Sequence, residues 1–149
     1  MTQAALMQLA ATLLAMASGF TGDPVPAWVP EIHLVPHTQI EYMTCQHPCR
    51  IRAGYFPDLG VFLDDDLDVE HDVYARSILL HELAHHVQEV TAKYQDLGEC
   101  ESGNAREDEA YALQNAFLRQ QSEMPVRIYN QRHMTCPVSV KTGSSSGPY

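Results

Sequence analysis

The sequence carries His81-Glu82-Leu83-Ala84-His85 inside a stretch of strong helical periodicity. Residues four apart on a helix lie one turn apart on the same face, about 5–6 Å between Cβ atoms. Two imidazoles so placed can converge on one zinc ion at about 2.0–2.1 Å each. The carboxylate next to the first imidazole then reaches the side of that ion, where it can hold a water and take its proton as the water attacks a carbonyl. A catalytic zinc keeps three protein ligands and one open position, so a third ligand must come from elsewhere in the chain. Eight histidines in 149 residues is a high count, and three of them sit together at positions 81, 85 and 86. The competing reading, solvated surface histidines, does not explain why both imidazoles and Ile78 share one helix face apart from the core stripe.

The third ligand is expected from a following helix at 105–121, where Glu107 and Glu109 are both candidates. On a helical wheel Glu109 lies close to the Leu113/Phe117 stripe, and Glu107 points about a third of a turn away. A carboxylate aimed at a core needs a partner, which favours Glu109 and keeps Glu107 in reserve. An ion pair between Glu109 and Arg106 on the helix surface is the bland alternative.

His81-Glu82-Leu83-Ala84-His85 followed by Glu109-Ala110-Tyr111 resembles the gluzincin branch of the zincin metallopeptidases, in which a Glu on a following helix completes the site. Over roughly residues 15–120 the chain also resembles small uncharacterised bacterial proteins that carry an HExxH domain. The resemblance implies Zn2+ as cofactor, His81, His85 and Glu109 as its ligands, Glu82 as general base, and a peptide or protein as substrate. It implies a minimal zincin-like α+β domain: a small antiparallel sheet packed on the HExxH helix and on the Glu-bearing helix. One departure is plain, since Leu113 stands where that family often has an Asp four residues after the ligand. A carboxylate orienting His81 or His85 is then sought in Asp64–Asp68. Tyr111, Tyr129 and His133 are the candidates for stabilising an oxyanion, and each also reads as structural.

These residues need elements to hold them. Residues 4–18 read as a helix closed by Gly19. Pro24, Pro26 and Pro30 make an extended connector. Residues 31–35 form a strand stopped by Pro36, and residues 50–55 and 61–63 a hairpin across Pro57-Asp58-Leu59-Gly60. Asp72 caps the motif helix, about 73–94, whose Leu80, Leu83, Ala84, Val87, Val90 and Tyr94 form the core stripe. His86 falls on neither face and reads as a solvated or hydrogen-bonding residue. A loop carries Cys100, the Glu helix ends before Pro125, and Val126–Tyr129 reads as a short strand or extended segment. The organisation is one domain over 1–140 and a flexible tail over 141–149, of Gly/Ser composition.

Composition narrows the partners. The formal charge of -10, from 19 acidic and 9 basic residues, argues against nucleic acid. The 64–66 aspartates read as a solvated acidic turn rather than a calcium loop. Residues 4–17 are apolar but too short and too interrupted to span a bilayer, and read better as a helix than as a signal peptide. Four cysteines pair most simply as Cys45–Cys49 and Cys100–Cys136. If they do, the chain is exported, periplasmic or secreted; if they stay reduced it is cytoplasmic. The spacing Cys45-x-x-x-Cys49 gives only weak support to a dithiol redox motif and, lacking an obvious fourth ligand, to a second metal site. The leading expectation is a zinc metallopeptidase working through a zinc-bound water; the second, from another class, is a zinc-stabilised binding domain without turnover.

Overall fold

In the computed structural model, which describes residues 1–127 and 134–137, seven elements follow in order. They are α1 (Gln3–Thr21), β1 (Ile32–Val35), α2 (His37–Thr44), β2 (Ala53–Phe56), β3 (Gly60–Asp64), α3 (Val73–Val90) and α4 (Glu99–Gln120). The class is α+β, as expected. The expected extended segment at 126–129 is described only at Val126 and Arg127, which belong to neither helix nor strand; its remainder and the tail lie outside the described residues.

The sheet is mixed, not antiparallel. Its order is β1-β3-β2, with β3 antiparallel to β2 and parallel to β1. The reason lies in the connection: α2 and β2 intervene between β1 and β3, so the chain returns to its starting end before β3 begins. The hairpin turn forms where Pro57-Asp58-Leu59-Gly60 predicts it, closed by Leu59 N–H donating to Phe56 C=O. Gly60 sits at φ 100°, and a Cβ there would lie 2.2 Å from the Glu31 carbonyl oxygen, so only glycine fits. Central β3 is buried at every position. β2 is an edge strand, and the register leaves its Ala53 and Tyr55 main-chain groups turned away from β3.

Asp72 caps α3 by accepting from Tyr74 N–H, as its position predicts. The helix packs against α1, α4 and β2. Leu80, Leu83, Ala84 and Val87 of the stripe are buried, joined by Leu79. Burying each leucine is worth about 1.5–3 kcal/mol, which fixes the helix's rotation and so the direction of the opposite face. Val90 ends the helix and is 37% exposed, and Tyr94 adopts a left-handed φ of 66°, so neither extends the stripe. α4 starts at Glu99, earlier than expected, with Glu99 and Glu101 in its first turn where the helix dipole favours anions.

α1 runs past Gly19 to a C-cap at Gly22, whose N–H donates to Ser18 C=O at φ 77°. By length and composition it is the one helix among the described residues apolar enough to cross a membrane. Its Leu6, Ala10, Leu13, Leu14 and Ala17 are buried in the core shared with α3. Both expected disulfides form, Cys45–Cys49 and Cys100–Cys136.

Candidate metal centre

His81, His85 and Glu107 form one group whose ligand atoms all lie within 4.8 Å of one another. The Glu107 carboxylate faces His85 Nε2 at 2.9 Å and His81 Nε2 at 3.3 Å. The two imidazole rings stand at 81° to each other with centroids 5.0 Å apart. Donors in tetrahedral contact with one zinc, about 2.0–2.1 Å from each, are separated by roughly 3.3 Å. Glu107 stands near that spacing from both imidazoles.

Hydrogen bonding on the far side of each ring sets which nitrogen faces inward. His81 Nδ1 donates to Gln114 Oε1 at 3.0 Å, and His85 Nδ1 to Gln88 Oε1 at 2.9 Å. An amide oxygen only accepts, so both Nδ1 atoms carry the proton and both Nε2 lone pairs point at Glu107. The amides are themselves oriented. Gln114 Nε2 donates to Ser77 Oγ, which donates to Tyr74 C=O, and Gln88 Nε2 donates to Arg106 C=O and Glu109 Oε1. Lone pairs facing a carboxylate are acceptors facing acceptors, and only a cation between them, a proton or a metal ion, reconciles them. The donor set therefore fits a metal.

Burial works to raise the Glu107 carboxyl, and the His81 and His85 imidazoles overcome it, holding the group well below the usual carboxylate range. At His85 burial works downward and is outweighed by Glu107 and Glu82, so its imidazole holds a proton more tightly than usual. Glu82 is buried beside the group, 8% exposed. Burial pushes its carboxyl up, against His81, His85 and a hydrogen bond from the Tyr55 main chain on the β2 edge.

Glu109, expected as the third ligand, is not in the group. It accepts from Lys93 Nζ, Tyr94 Oη and Gln88 Nε2. Its partner is a cation from the segment after α3, where left-handed residues Ala92 and Tyr94 turn the chain back. The Arg106 ion pair is likewise absent among the described residues. Glu107, the reserve candidate, takes the ligand position because it shares a helical stripe with Tyr111 and Gln114, spaced i, i+4 and i+7. That stripe was the available signal for both Glu107 and Gln114. The carboxylate expected from Asp64–Asp68 to orient the histidines is replaced by the two amides. Asp64 is instead buried against Arg52 and His37, and only Asp65 and Asp66 form the exposed acidic turn.

His86 is buried, not solvated. Its Nε2 donates to Trp28 C=O and its Nδ1 accepts from Tyr55 Oη. Burial pushes the Tyr55 hydroxyl up to about 12, so it stays a donor, and burial holds His86 below its usual range. Tyr111 packs its ring on His81 at 4.5 Å. Tyr129 and His133 lie outside the described residues.

The group opens into a cleft of about 900 Å³, lined by β2 on one side and by His81, Glu82, His85, Glu107, Tyr111 and Gln114 on the other. Ile78 also lines it, as its place on the histidine face predicts. A smaller hollow of about 370 Å³ continues past His85 and Glu107 to Glu89, Asn104 and Met134. The Cys100–Cys136 disulfide and Asn104, bonded to both main-chain groups of Met134, pin that wall. No family model, no curated protein and no solved structure matches this chain.

Proposed function

We propose that this chain is a zinc-dependent hydrolase acting on peptide bonds, with His81, His85 and Glu107 as metal ligands and Glu82 as general base. The observation that carries the reading is the convergence of two Nε2 lone pairs and one carboxylate at zinc-ligand spacing, beside a buried glutamate and an open cleft. Two imidazoles and a carboxylate suit zinc, and His2Glu is a ligand set of catalytic zinc sites. When bound, zinc supplies a Lewis acid that lowers the pKa of water toward ~7 and polarises a substrate carbonyl.

The chain's own residues do the rest. Gln114 and Gln88 hold each imidazole in the tautomer that presents Nε2. Glu82 takes a proton from the attacking water and passes it to the leaving amine; the Tyr55 main chain holds its carboxylate in place. The main-chain groups of Ala53 and the Tyr55 carbonyl offer an extended peptide a strand to pair with.

A zinc-stabilised domain without turnover has no use for Glu82. A carboxyl buried without a metal-ligand role is a liability that a purely structural site would replace by an apolar residue. The two disulfides support an exported setting. The test is peptide-library cleavage by the zinc-loaded protein and by Glu82→Gln. Loss of at least about 100-fold in kcat, with zinc retained, is the expected result for a general base. Equal cleavage by the variant removes Glu82 from the mechanism, and unfolding on chelation, with no cleavage by either protein, favours the binding domain.

A further inference from the structure

Three arginines stand at one end of the cleft. Arg50 and Arg52 approach it just before β2. Arg127 approaches from across α4, where Asn115 bonds both main-chain groups of Val126. In a chain of charge -10 with only 9 basic residues, such a gathering runs against the composition. Arg52 donates to Asp64, but no ion pair among the described residues engages Arg50 or Arg127. The described carboxylates lining this cleft are Glu82 and Glu107 alone, both already assigned.

The groove has a direction. Tyr55, His85 and Glu107 line both its parts, whereas Arg50, Ile78 and Gln114 line only the larger and Pro57, Glu89 and Asn104 only the smaller. β2 therefore runs from the arginine end toward the Glu89 end. A peptide pairing with its outer edge, at Ala53 and the Tyr55 carbonyl, in the antiparallel sense, the more stable one per residue, runs the other way and carries its C-terminal portion to the arginines. At about 3.3 Å per strand residue, Arg52 stands roughly 10 Å from Tyr55.

We propose that this end of the cleft selects peptides carrying a carboxylate two to four residues on the C-terminal side of the cleaved bond, from an Asp or Glu side chain or from the peptide's own terminus. Guanidinium forks suit carboxylates of either source. The inference rests on the peptidase reading, so binding and cleavage are measured separately. Fluorescence anisotropy with the zinc-loaded Glu82→Gln protein compares three labelled hexapeptides: acidic in the C-terminal half and amidated, neutral with a free C-terminus, and neutral and amidated. At least one carboxylate-bearing peptide binds about tenfold tighter than the neutral amide, and which one identifies the source. Arg50→Gln combined with Arg127→Gln abolishes the preference, while the exposed control Arg119→Gln keeps it. Equal affinities, no binding of any peptide, or a preference that survives the double variant overturns the proposal. Cleavage by the wild type without the preference sinks only this inference; the preference without cleavage sinks only the peptidase reading.

Discussion

Replacing Gln114 by leucine tests how the metal centre is positioned. Gln114 is 4% exposed and is the acceptor for His81 Nδ1–H, at 3.0 Å. Leucine fills similar volume but leaves that N–H buried and unpaired, which lowers the stability of the metal-free protein by about 1–3 kcal/mol. Ser77 loses a donor but keeps its own bond to Tyr74 C=O, so its contribution is small. The imidazole is also freed to rotate and to change tautomer. Loss of such an orienting partner typically weakens metal binding 10–100-fold, or roughly 1.4–2.7 kcal/mol. Two numbers therefore fall independently: the unfolding free energy without metal, and the increment that saturating zinc adds to it. Competition against a chromophoric chelator reads the second directly, and urea unfolding in the presence of chelator reads the first. Gln114→Glu keeps an acceptor at the same reach and recovers zinc affinity. A folded Gln114→Leu protein that binds zinc as tightly as wild type refutes the assigned tautomer and the role of the amide.

Other outcomes follow from the ion pairs. Glu109→Gln destabilises the fold by roughly 1–3 kcal/mol, because Lys93, Tyr94 and Gln88 share that carboxylate; thermal melts check it, and an unchanged melting temperature contradicts the network. His37 donates to Asp64 and faces the Cys49 carbonyl, and the Cys49 carbonyl and Asp64 together outweigh burial and raise its pKa above the ordinary 6.5. The folded state then binds the extra proton, so this stabilisation is complete below pH 6.5 and disappears as pH rises through the higher folded value. Melts of wild type and His37→Gln should therefore converge between pH 6.5 and alkaline pH; a gap that widens contradicts the sign. Burial tends to raise Asp64, but the Asp66 N–H, Arg52 and His37 outweigh it and lower it from 3.8, so its contribution is present above that pH and lost in stronger acid. Asp64→Asn should flatten the acid limb of the stability profile.

Much of this arrangement was legible in the residues. The helical stripe of α3, the Asp72 cap and the hairpin turn follow from spacing and turn chemistry, and the even cysteine count points to two disulfides without fixing which of three pairings forms. α2 was not, because Ile40 is its one buried residue and a single buried position makes no periodicity. The parallel pairing of β1 with β3 was hidden because it joins strands separated by a helix and another strand, a contact that no local pattern encodes. Glu107 rather than Glu109 joins the metal group for a physical reason. The wheel correctly marked Glu109 as facing inward, but a half-buried carboxylate accepts any cation, and Lys93 after the end of α3 is nearer than the metal group. The i, i+4, i+7 run of Glu107, Tyr111 and Gln114 was the better guide, since ligand, aromatic wall and orienting amide share one face. His86 is hydrogen-bonded, one of the two readings its position offers, but its burial was not legible because its partners, Tyr55 and the Trp28 carbonyl, come from distant segments.

The most direct test of the proposed centre is the zinc content of purified protein, measured by mass spectrometry on wild type, His85→Ala, Glu107→Ala and Glu109→Gln. One equivalent in wild type and Glu109→Gln, lost in His85→Ala and Glu107→Ala, is the predicted result. Zinc retained by a folded Glu107→Ala protein, or absent from wild type at saturating metal, contradicts it.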